Sequence, residues 1–311
     1  MAEDYPKTLM EFERRFATDE ACRDYLFVLR WPDGFVCPKC GGKTAWRASR
    51  ARWVCRECRH QASVTAGTIF QDSHLPLTLW FRAMWYVTSQ KNGSSALTIQ
   101  RLLGLGSYKT AWALLHKLRR AMVRPGRERL HGTVEVDEAF WGGEEEGVIG
   151  RKTEKKALIV VAAEEDGPRI GRIRMRRIDT TSRKVLHGFI HEAIEPGSTV
   201  RTDGLNSYRA LRGYVHHRQV QRHQPKGEHL LPRVHRVISL LKRWLLGTHQ
   251  GAVGHEYLDY YLDEFTFRFN RRNSKSRGKL FYRLAQQSAQ VAPAPFDSLV
   301  KPQPLAVGGV K

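Results

Sequence analysis

The sequence contains no apolar run that approaches the roughly 18 residues of a membrane-spanning helix. Its first residues, MAEDYPKTLMEFERRF, are charged and lack the apolar centre of a secretory signal peptide. Both absences argue against a membrane protein and against an exported one. We therefore expect a cytoplasmic protein with a globular core, for which 41% hydrophobic residues are sufficient.

Acidic residues are scarce relative to basic ones. The 311-residue chain has 31 Asp and Glu against 52 Lys and Arg, and the resulting formal charge of +21 is spread over most of the sequence. A field of this sign attracts phosphate backbones and releases their counterions. The composition therefore favours a nucleic-acid partner over a membrane surface, and it predicts association with the nucleoid.

Cysteine is also scarce, and a cytoplasmic location argues against disulfides. Four of the five cysteines form the units Cys37-Pro-Lys-Cys40 and Cys55-Arg-Glu-Cys58, which are separated by 14 residues. Two such turns bring four thiolates together in the tetrahedral sulfur cage that Zn²⁺ prefers. We predict a structural zinc ribbon over residues 34–72, with disulfides or a thioredoxin-like redox motif as the alternatives.

A helical pattern follows the ribbon. The segment LTLWFRAMWYVTSQKNG is typical of one helix, ALTIQRLLG of a second, and a glycine turn separates the second from YKTAWALLHKLRRAM. Two helices around such a turn match the helix-turn-helix plan, in which the latter helix enters the major groove of DNA. An ordinary helical hairpin is the alternative. The expected DNA contacts in this region, residues 73–127, are Ser107, Tyr108, Lys109, Lys117, Arg119 and Arg120.

Near residue 128 the hydrophobic period changes to that of strands. The patterns TVEVDEAFW, KKALIVVAAEEDG and RIGRIRMRRID precede the helical TTSRKVLHGFIHEAI, a fourth strand, STVRTD, and a further helix. This order predicts an α/β RNase H-like domain, a mixed sheet flanked by helices, over residues 128–290. Residues 1–33 are expected to form an N-terminal helical segment. Residues 291–311, rich in Pro, Ala and Gly, are expected to form a disordered tail.

Two aspartates occupy comparable positions on the predicted strands. Asp137 lies on the first strand, and Asp203, 66 residues later, lies at the end of the fourth. Parallel pairing of those strands would bring both carboxylates to one edge of the sheet. Two such oxygen donors suit Mg²⁺ or Mn²⁺, which polarises a phosphodiester and lowers the pKa of an attacking water or 3′-hydroxyl. A third group must complete the site, commonly from a later helix.

Several motifs together resemble a known family. VEVDEAFWGG, TDGLNSY, VHRVISLLKRWLLGTH and YLDEFTFRFNRR, behind CPKC and CREC, resemble the bacterial insertion-sequence transposases that combine a zinc ribbon with an ISXO-type catalytic domain. The resemblance extends from about Phe12 to Leu284. It implies a DDE-superfamily enzyme that uses two divalent ions to cleave and join double-stranded DNA at terminal inverted repeats, as a homo-oligomer in a synaptic complex. It assigns Asp137 and Asp203 as the first two catalytic carboxylates.

The third catalytic position departs from the family pattern. Related enzymes carry Glu or Asn on a helix, with Lys or Arg seven residues later. Here the residue seven positions before Lys242 is His235, which follows Asp203 by 32 residues. We predict His235 as the third ligand, a better partner for Mn²⁺ than for Mg²⁺, with Glu228 or a degraded, inactive site as the alternatives. Two further acidic residues, Glu135 and Glu264, are weaker candidates.

Basic residues near this helix are expected to contact DNA. Lys242 would bind the phosphates beside the scissile bond, because it lies two helical turns from the predicted metal ligand. The expected contacts are Lys242, Arg243, Arg271 and Arg272. For the last two, a solvated basic helix end is an equal alternative.

Three functions fit these features. The first is a metal-dependent DNA transposase. The second is a zinc-ribbon and helix-turn-helix regulator that has lost catalysis, although a pure binding protein has no need for both aspartates at strand ends. The third is an RNase H-like nuclease that cuts DNA without joining it.

Overall fold

The polypeptide divides into two units, one of which is built from both ends of the chain. The structure, a computed structural model, describes residues 3–124, 126–143, 156–220 and 230–300. The first unit, here called the ribbon unit, comprises Met1–Pro125 and Asn273–Lys311. The second, here called the sheet unit, comprises Gly126–Arg272.

The ribbon unit begins with two capped helices and a small sheet. Thr8 and Thr18 each accept a backbone N–H bond through the side chain, so each ends the extended chain and begins a helix. The sheet is antiparallel with order β1-β2-β3. The elements are α1 (Leu9–Arg15), α2 (Asp19–Arg30), β1 (Ala45–Ala48), β2 (Arg52–Cys55) and β3 (Gln61–Ala62).

Three helices follow the small sheet, α3 (Leu77–Ser89), α4 (Ala96–Leu103) and α5 (Tyr108–Ala121). Gly104 ends α4 in the left-handed conformation at φ 62°, which glycine adopts without strain, and the Ser107 side chain caps α5. The helix, glycine turn and helix expected from the sequence are therefore present. Their use as a DNA-binding helix-turn-helix stays a prediction.

The sheet unit contains a five-stranded sheet with order β6-β5-β4-β7-β8. The first three strands are antiparallel neighbours, whereas β7 runs parallel to both β4 and β8. The strands are β4 (Thr133–Trp141), β5 (Ala157–Asp166), β6 (Arg169–Ile178), β7 (Thr199–Thr202) and β8 (Val215–Arg218). The helices are α6 (Arg183–Ala193), α7 (Pro232–His249) and α8 (Leu258–Phe269). This mixed sheet with flanking helices is the predicted RNase H-like fold, with β8 as a short additional edge strand.

Helices cover both faces of the central strands. On one face Val134, Val136 and Val160 pack with Phe189 and Ile190 of α6. On the other face the alternate residues of β5 pack with α7 and α8, through Ile159, Val161, Val234, Leu241, Leu262 and Phe265. The continuous apolar run of β5 is therefore explained by burial of both of its faces.

Polar side chains of α8 and of the residues after it cover the edge strand β6. Asp259 accepts the backbone N–H of Arg177 at 2.9 Å, and Asn270 both accepts from and donates to the backbone of Ile173, at 2.8 and 3.2 Å. Arg272 donates to the carbonyl of Gly171 at 3.3 Å and to that of Ile170. An edge strand whose backbone N–H and C=O groups are bonded in this way is not available to pair with another strand.

The C-terminal segment returns to the ribbon unit, which corrects two predicted boundaries. Helix α9 (Arg277–Ser288) packs on α3, so the sheet domain ends at Arg272 rather than at residue 290. Helix α10 (Phe296–Val300) packs on α5 with Leu299 fully buried. The predicted disordered tail is therefore wrong for residues 291–300, because their apolar side chains complete the ribbon-unit core, and residues 301–311 lie outside the described ranges.

Phe281 on α9 is the centre of an aromatic cluster. Its ring is fully buried, and its centroid lies 5.3 Å from that of Phe12, 5.6 Å from that of Phe81 and 5.8 Å from that of Trp85. Helices from the two ends of the chain thus share one core.

Within the described ranges, no helix has the length and apolar character needed to cross a membrane.

We expect Phe281→Ala to destabilise the ribbon unit by about 3–5 kcal/mol, because it leaves a cavity in this cluster. The measurement is urea unfolding followed by tryptophan fluorescence, to which Trp85 contributes directly. Arg277→Ala, at an exposed position of the same helix, is the matched control and should change the free energy of unfolding by less than about 0.5 kcal/mol. Equal stability of the two variants would contradict the role assigned to α9.

Candidate active site and metal centre

The four CxxC cysteines converge in the ribbon unit. The Sγ atoms of Cys37 and Cys58 lie 3.6 Å apart, as do those of Cys40 and Cys55, and all four lie within 4.8 Å of one another. A tetrahedral site with Zn–S bonds of about 2.3 Å separates its sulfurs by about 3.8 Å. The cluster therefore fits a structural zinc ion.

Backbone turns hold these thiols in place. Gly41 donates its N–H to the carbonyl of Cys37 at 2.9 Å, and Arg59 donates to the carbonyl of Cys55 at 3.1 Å. Burial acts to raise the pKa of the Cys37 thiol, but the N–H groups of Cys40 and Lys39 lower this pKa to about 7. The turn at Cys37 thus favours the thiolate form of this residue, the form that binds metal.

The register of the large sheet brings the two aspartates together. The parallel pairing of β4 with β7 ends at Val136 opposite Thr202. Asp137 is the next residue on β4, and Asp203 is the first residue after β7. Burial raises the pKa of Asp137, and the negative charge of Asp203 raises it further, against the lowering effect of the Glu138 N–H and of His235. The structure thus brings the two carboxylates close enough to repel each other, as the strand pattern predicts.

His235 lies in the first turn of α7 and points at this pair. Its Nε2 atom lies 2.9 Å from Oδ2 of Asp137, and about half of the imidazole side chain is exposed. Lys242, two turns later, is also exposed, whereas Val234, Leu241 and Leu245 form the buried stripe of the helix. His235 and Lys242 therefore lie on the exposed side of this helix.

Two carboxylates and an imidazole are donors that suit a divalent cation, Mn²⁺ in particular. Among the described residues, the four cysteines are the one group of three or more Cys, His, Asp or Glu side chains whose ligand atoms already lie close enough together to bind a metal ion. At the second site, Asp137 and His235 instead share a hydrogen bond. The donor chemistry of Asp137, Asp203 and His235 fits a metal once that bond opens.

Other acidic candidates from the sequence lie elsewhere. Glu135 is 1% exposed and accepts hydrogen bonds from the start of α7. Glu264 is fully buried on α8. Glu228 lies outside the described residues.

Turn and strand contacts that the sequence did not reveal support the aspartates. Oδ1 of Asp203 accepts the N–H of Leu205 at 2.9 Å, which fixes the turn after β7. The buried Tyr208 hydroxyl then donates to Glu138, the residue after Asp137. The motif TDGLNSY therefore connects the turn after β7 to β4 through the bond from Tyr208 to Glu138, a contact that the sequence pattern does not predict.

The expected DNA contacts in the ribbon unit differ in accessibility. Tyr108 is 53% exposed at the start of α5, and Ser107 and Lys109 beside it are also exposed, although the Lys109 ammonium lies 4.4 Å from the centroid of Phe296. Arg119 is only 2% exposed, and this burial contradicts the expectation that it contacts DNA. Two other basic residues of this helix, Lys117 and Arg120, are partly buried.

In the sheet unit, Lys242 and Arg243 are both exposed on α7. Arg271 stacks on the ring of Phe267 at 4.0 Å and donates to the Phe267 carbonyl. Arg272 is bonded to carbonyls of β6 as described above. These last two guanidinium groups are bonded within the packing of α8 and β6, which favours a structural role over the expected contact with DNA.

Two family models match the sequence. The ISXO2-like transposase domain matches residues 129–270, and the transposase zinc-ribbon domain matches residues 17–61. A protein described as "Uncharacterized protein in transposable element ISH50", from Halobacterium salinarum, is 27% identical in an alignment that covers 82% of this chain and 92% of that protein. The fold and both matched domains define a transposase of the RNase H-like class with an N-terminal zinc ribbon. The chain thus combines the two domains of IS1595-type transposases, a zinc ribbon and an ISXO2-like domain.

We expect purified protein to contain about one zinc ion per chain, because one four-sulfur cage is complete. Cys55→Ser should lose this zinc and unfold the ribbon. Cys22→Ala, a change at a buried cysteine outside the cluster, should retain it. The measurement is elemental analysis after gel filtration, and equal zinc content in both variants would contradict the assignment.

Proposed function

We propose that this protein is an active insertion-sequence transposase that binds the terminal inverted repeats of its element and cleaves and joins DNA strands there. The observation that carries the proposal is the position of Asp137 and Asp203, each directly after a residue of the paired couple Val136 and Thr202, within a domain that matches the transposase family. A DNA-binding regulator or a structural protein has no use for two carboxylates held against their mutual repulsion. A site for a divalent cation offsets that repulsion.

The proposed roles of the site residues follow from their positions. Asp137 and Asp203 would hold Mg²⁺ or Mn²⁺ through their carboxylate oxygens, and His235 would supply a nitrogen donor from the exposed start of α7. When bound, the metal would polarise the scissile phosphodiester and lower the pKa of an attacking water or 3′-hydroxyl. Lys242, on the same helix face, would orient the phosphate beside the scissile bond.

DNA recognition is proposed for the ribbon unit. Its exposed α5 start carries a hydroxyl, an aromatic ring and an ammonium group, in Ser107, Tyr108 and Lys109. A helix that starts this way after a glycine turn is suited to the major groove. The net charge of +21 would add binding to the phosphate backbone that weakens as salt is raised. Because strand joining requires two ends, we further propose that the protein works as an oligomer that brings them together.

Loss of either aspartate should abolish cleavage while leaving DNA binding intact. We expect Asp137→Asn and Asp203→Asn to lower the rate of nicking of a labelled inverted-repeat end in Mn²⁺ by about a thousandfold, about 4 kcal/mol of transition-state stabilisation. Asp179→Asn, at an exposed position after β6, is the control and should cleave normally. Binding of the same DNA is measured by gel shift.

The outcomes separate the candidate functions. If the wild-type protein binds inverted-repeat DNA but does not nick it in Mn²⁺ or Mg²⁺, the regulator is the better description. If it nicks ends but never joins them to target DNA, it is a nuclease. Aspartate variants that cleave as fast as the wild type would overturn the assigned site.

A separate prediction concerns the histidine. His235→Glu restores the carboxylate that related enzymes carry on this helix, and hard oxygen ligands favour Mg²⁺. We expect the variant to cleave in Mg²⁺ at least as well as the wild type, and His235→Ala to be about a hundredfold slower than the wild type in Mn²⁺. The measurement is the nicking rate against the concentration of each ion. Full activity of His235→Ala would remove the imidazole from the site.

A further inference from the structure

Next to the proposed site lies a second layer of charged residues, whose positions in the chain follow the same pattern as those of the site residues. Each of three site residues is preceded, two positions earlier, by a residue of an ion network that spans β4, β7 and α7. On a strand, residues two apart share one face, so Glu135 and Arg201 lie one step along the sheet from the two aspartates, whereas Arg233 and His235 both lie in the first turn of α7. The pairs are Glu135 with Asp137, Arg201 with Asp203, and Arg233 with His235.

Glu135 is the most buried member of this layer. Its Oε2 atom accepts the backbone N–H of Arg233 at 2.8 Å and that of Val234 at 2.9 Å, and its Oε1 atom accepts from the Arg233 guanidinium at 3.2 Å. The start of a helix carries N–H groups with no partner inside the helix and a partial positive charge. The buried carboxylate on β4 therefore caps α7 from outside the helix.

The network continues to the neighbouring strands through Arg233. This guanidinium also donates to Glu165 of β5 at 3.1 Å and to the carbonyl of Gly167 at 2.8 Å. Glu165 in turn accepts from Arg201 of β7 at 2.7 Å. Three strands and the helix that carry or flank the site are thus connected by charge-assisted hydrogen bonds.

We propose that Glu135, Arg233, Glu165 and Arg201 form a positioning network that sets the separation of His235 from the two aspartates. The inference rests on the proposed function, because it assigns a role relative to that site. Glu135 is a positioning residue and not a ligand, since both of its oxygens already accept hydrogen bonds from α7. Loss of its charge would release the first turn of α7 and with it the imidazole.

A nearby carboxylate provides a matched control. Glu164 is also buried, at 6% exposure, and accepts the backbone N–H groups of His131 at 2.9 Å and Arg172 at 3.0 Å as well as the Arg172 guanidinium. It has the same chemistry and comparable burial as Glu135, but its contacts lie away from α7. Removing either charge should cost similar stability, and only Glu135 should affect the site.

The experiment compares Glu135→Gln with Glu164→Gln in the full-length, zinc-loaded protein. Hydrogen exchange of the first turn of α7, measured in the absence of added Mn²⁺ and Mg²⁺, should be about tenfold faster in Glu135→Gln, because the helix start loses its charged acceptor. Mn²⁺ affinity, measured by calorimetry, should fall about tenfold, as is usual when a residue that orients a ligand is lost. Glu164→Gln should change neither quantity.

A milder variant covers the case in which Glu135→Gln fails to fold. Arg201→Gln removes the partly exposed end of the network and should lower Mn²⁺ affinity in the same direction by a smaller factor. Unchanged exchange and unchanged Mn²⁺ affinity in the variants that fold would overturn the network, and so would an equal effect of Glu164→Gln. The exchange result does not depend on catalysis, so a wild-type protein that never nicks DNA would refute the proposed function without refuting the network.

Discussion

The parallel pairing of β4 with β7 determines where the two aspartates lie, because the backbone hydrogen bonds fix the register to Val136 opposite Thr202. The residue that follows each of these in the chain is an aspartate, Asp137 or Asp203. Burial, together with the repulsion from the Asp203 carboxylate, raises the pKa of Asp137. A bound cation or a hydrogen-bond donor offsets this repulsion. His235 of α7 lies where its imidazole can donate a hydrogen bond to Asp137 or bind the cation.

Acidic side chains are a minority in this strongly basic chain, and several of them hold the sheet unit together. Glu135 caps α7, Glu164 binds Arg172, and Asp259 accepts a backbone N–H of the edge strand β6. Each carboxylate meets a donor that would otherwise be buried or exposed at an edge without a partner. Lys242 and Arg243 stay exposed on α7, where they are available for the DNA contact proposed for them.

The ribbon unit depends on a different contact, the packing of the C-terminal helix α9 against α3. Phe281 reaches the aromatic residues of the first three helices, so the sheet unit is an insertion between two parts of one core. Helix α10 then covers part of α5, and Phe296 lies against Lys109. The end of the chain thus supports the helix that we propose to bind DNA.

The amino-acid sequence by itself determined the local features: the two CxxC turns, the capped helices, the strand periods, and the apolar stripe of α7 that leaves His235 and Lys242 on the exposed side. These follow from short-range spacing and from side-chain preference. Only the tertiary structure decided which distant residues meet, as with Glu135 and Arg233, Tyr208 and Glu138, or Phe281 and Phe12. The burial of Arg119 and the hydrogen bonds from Arg272 to β6 are likewise features of the tertiary structure. No periodicity encodes such contacts, because they depend on how whole strands and helices pack and not on the residues beside them in the chain.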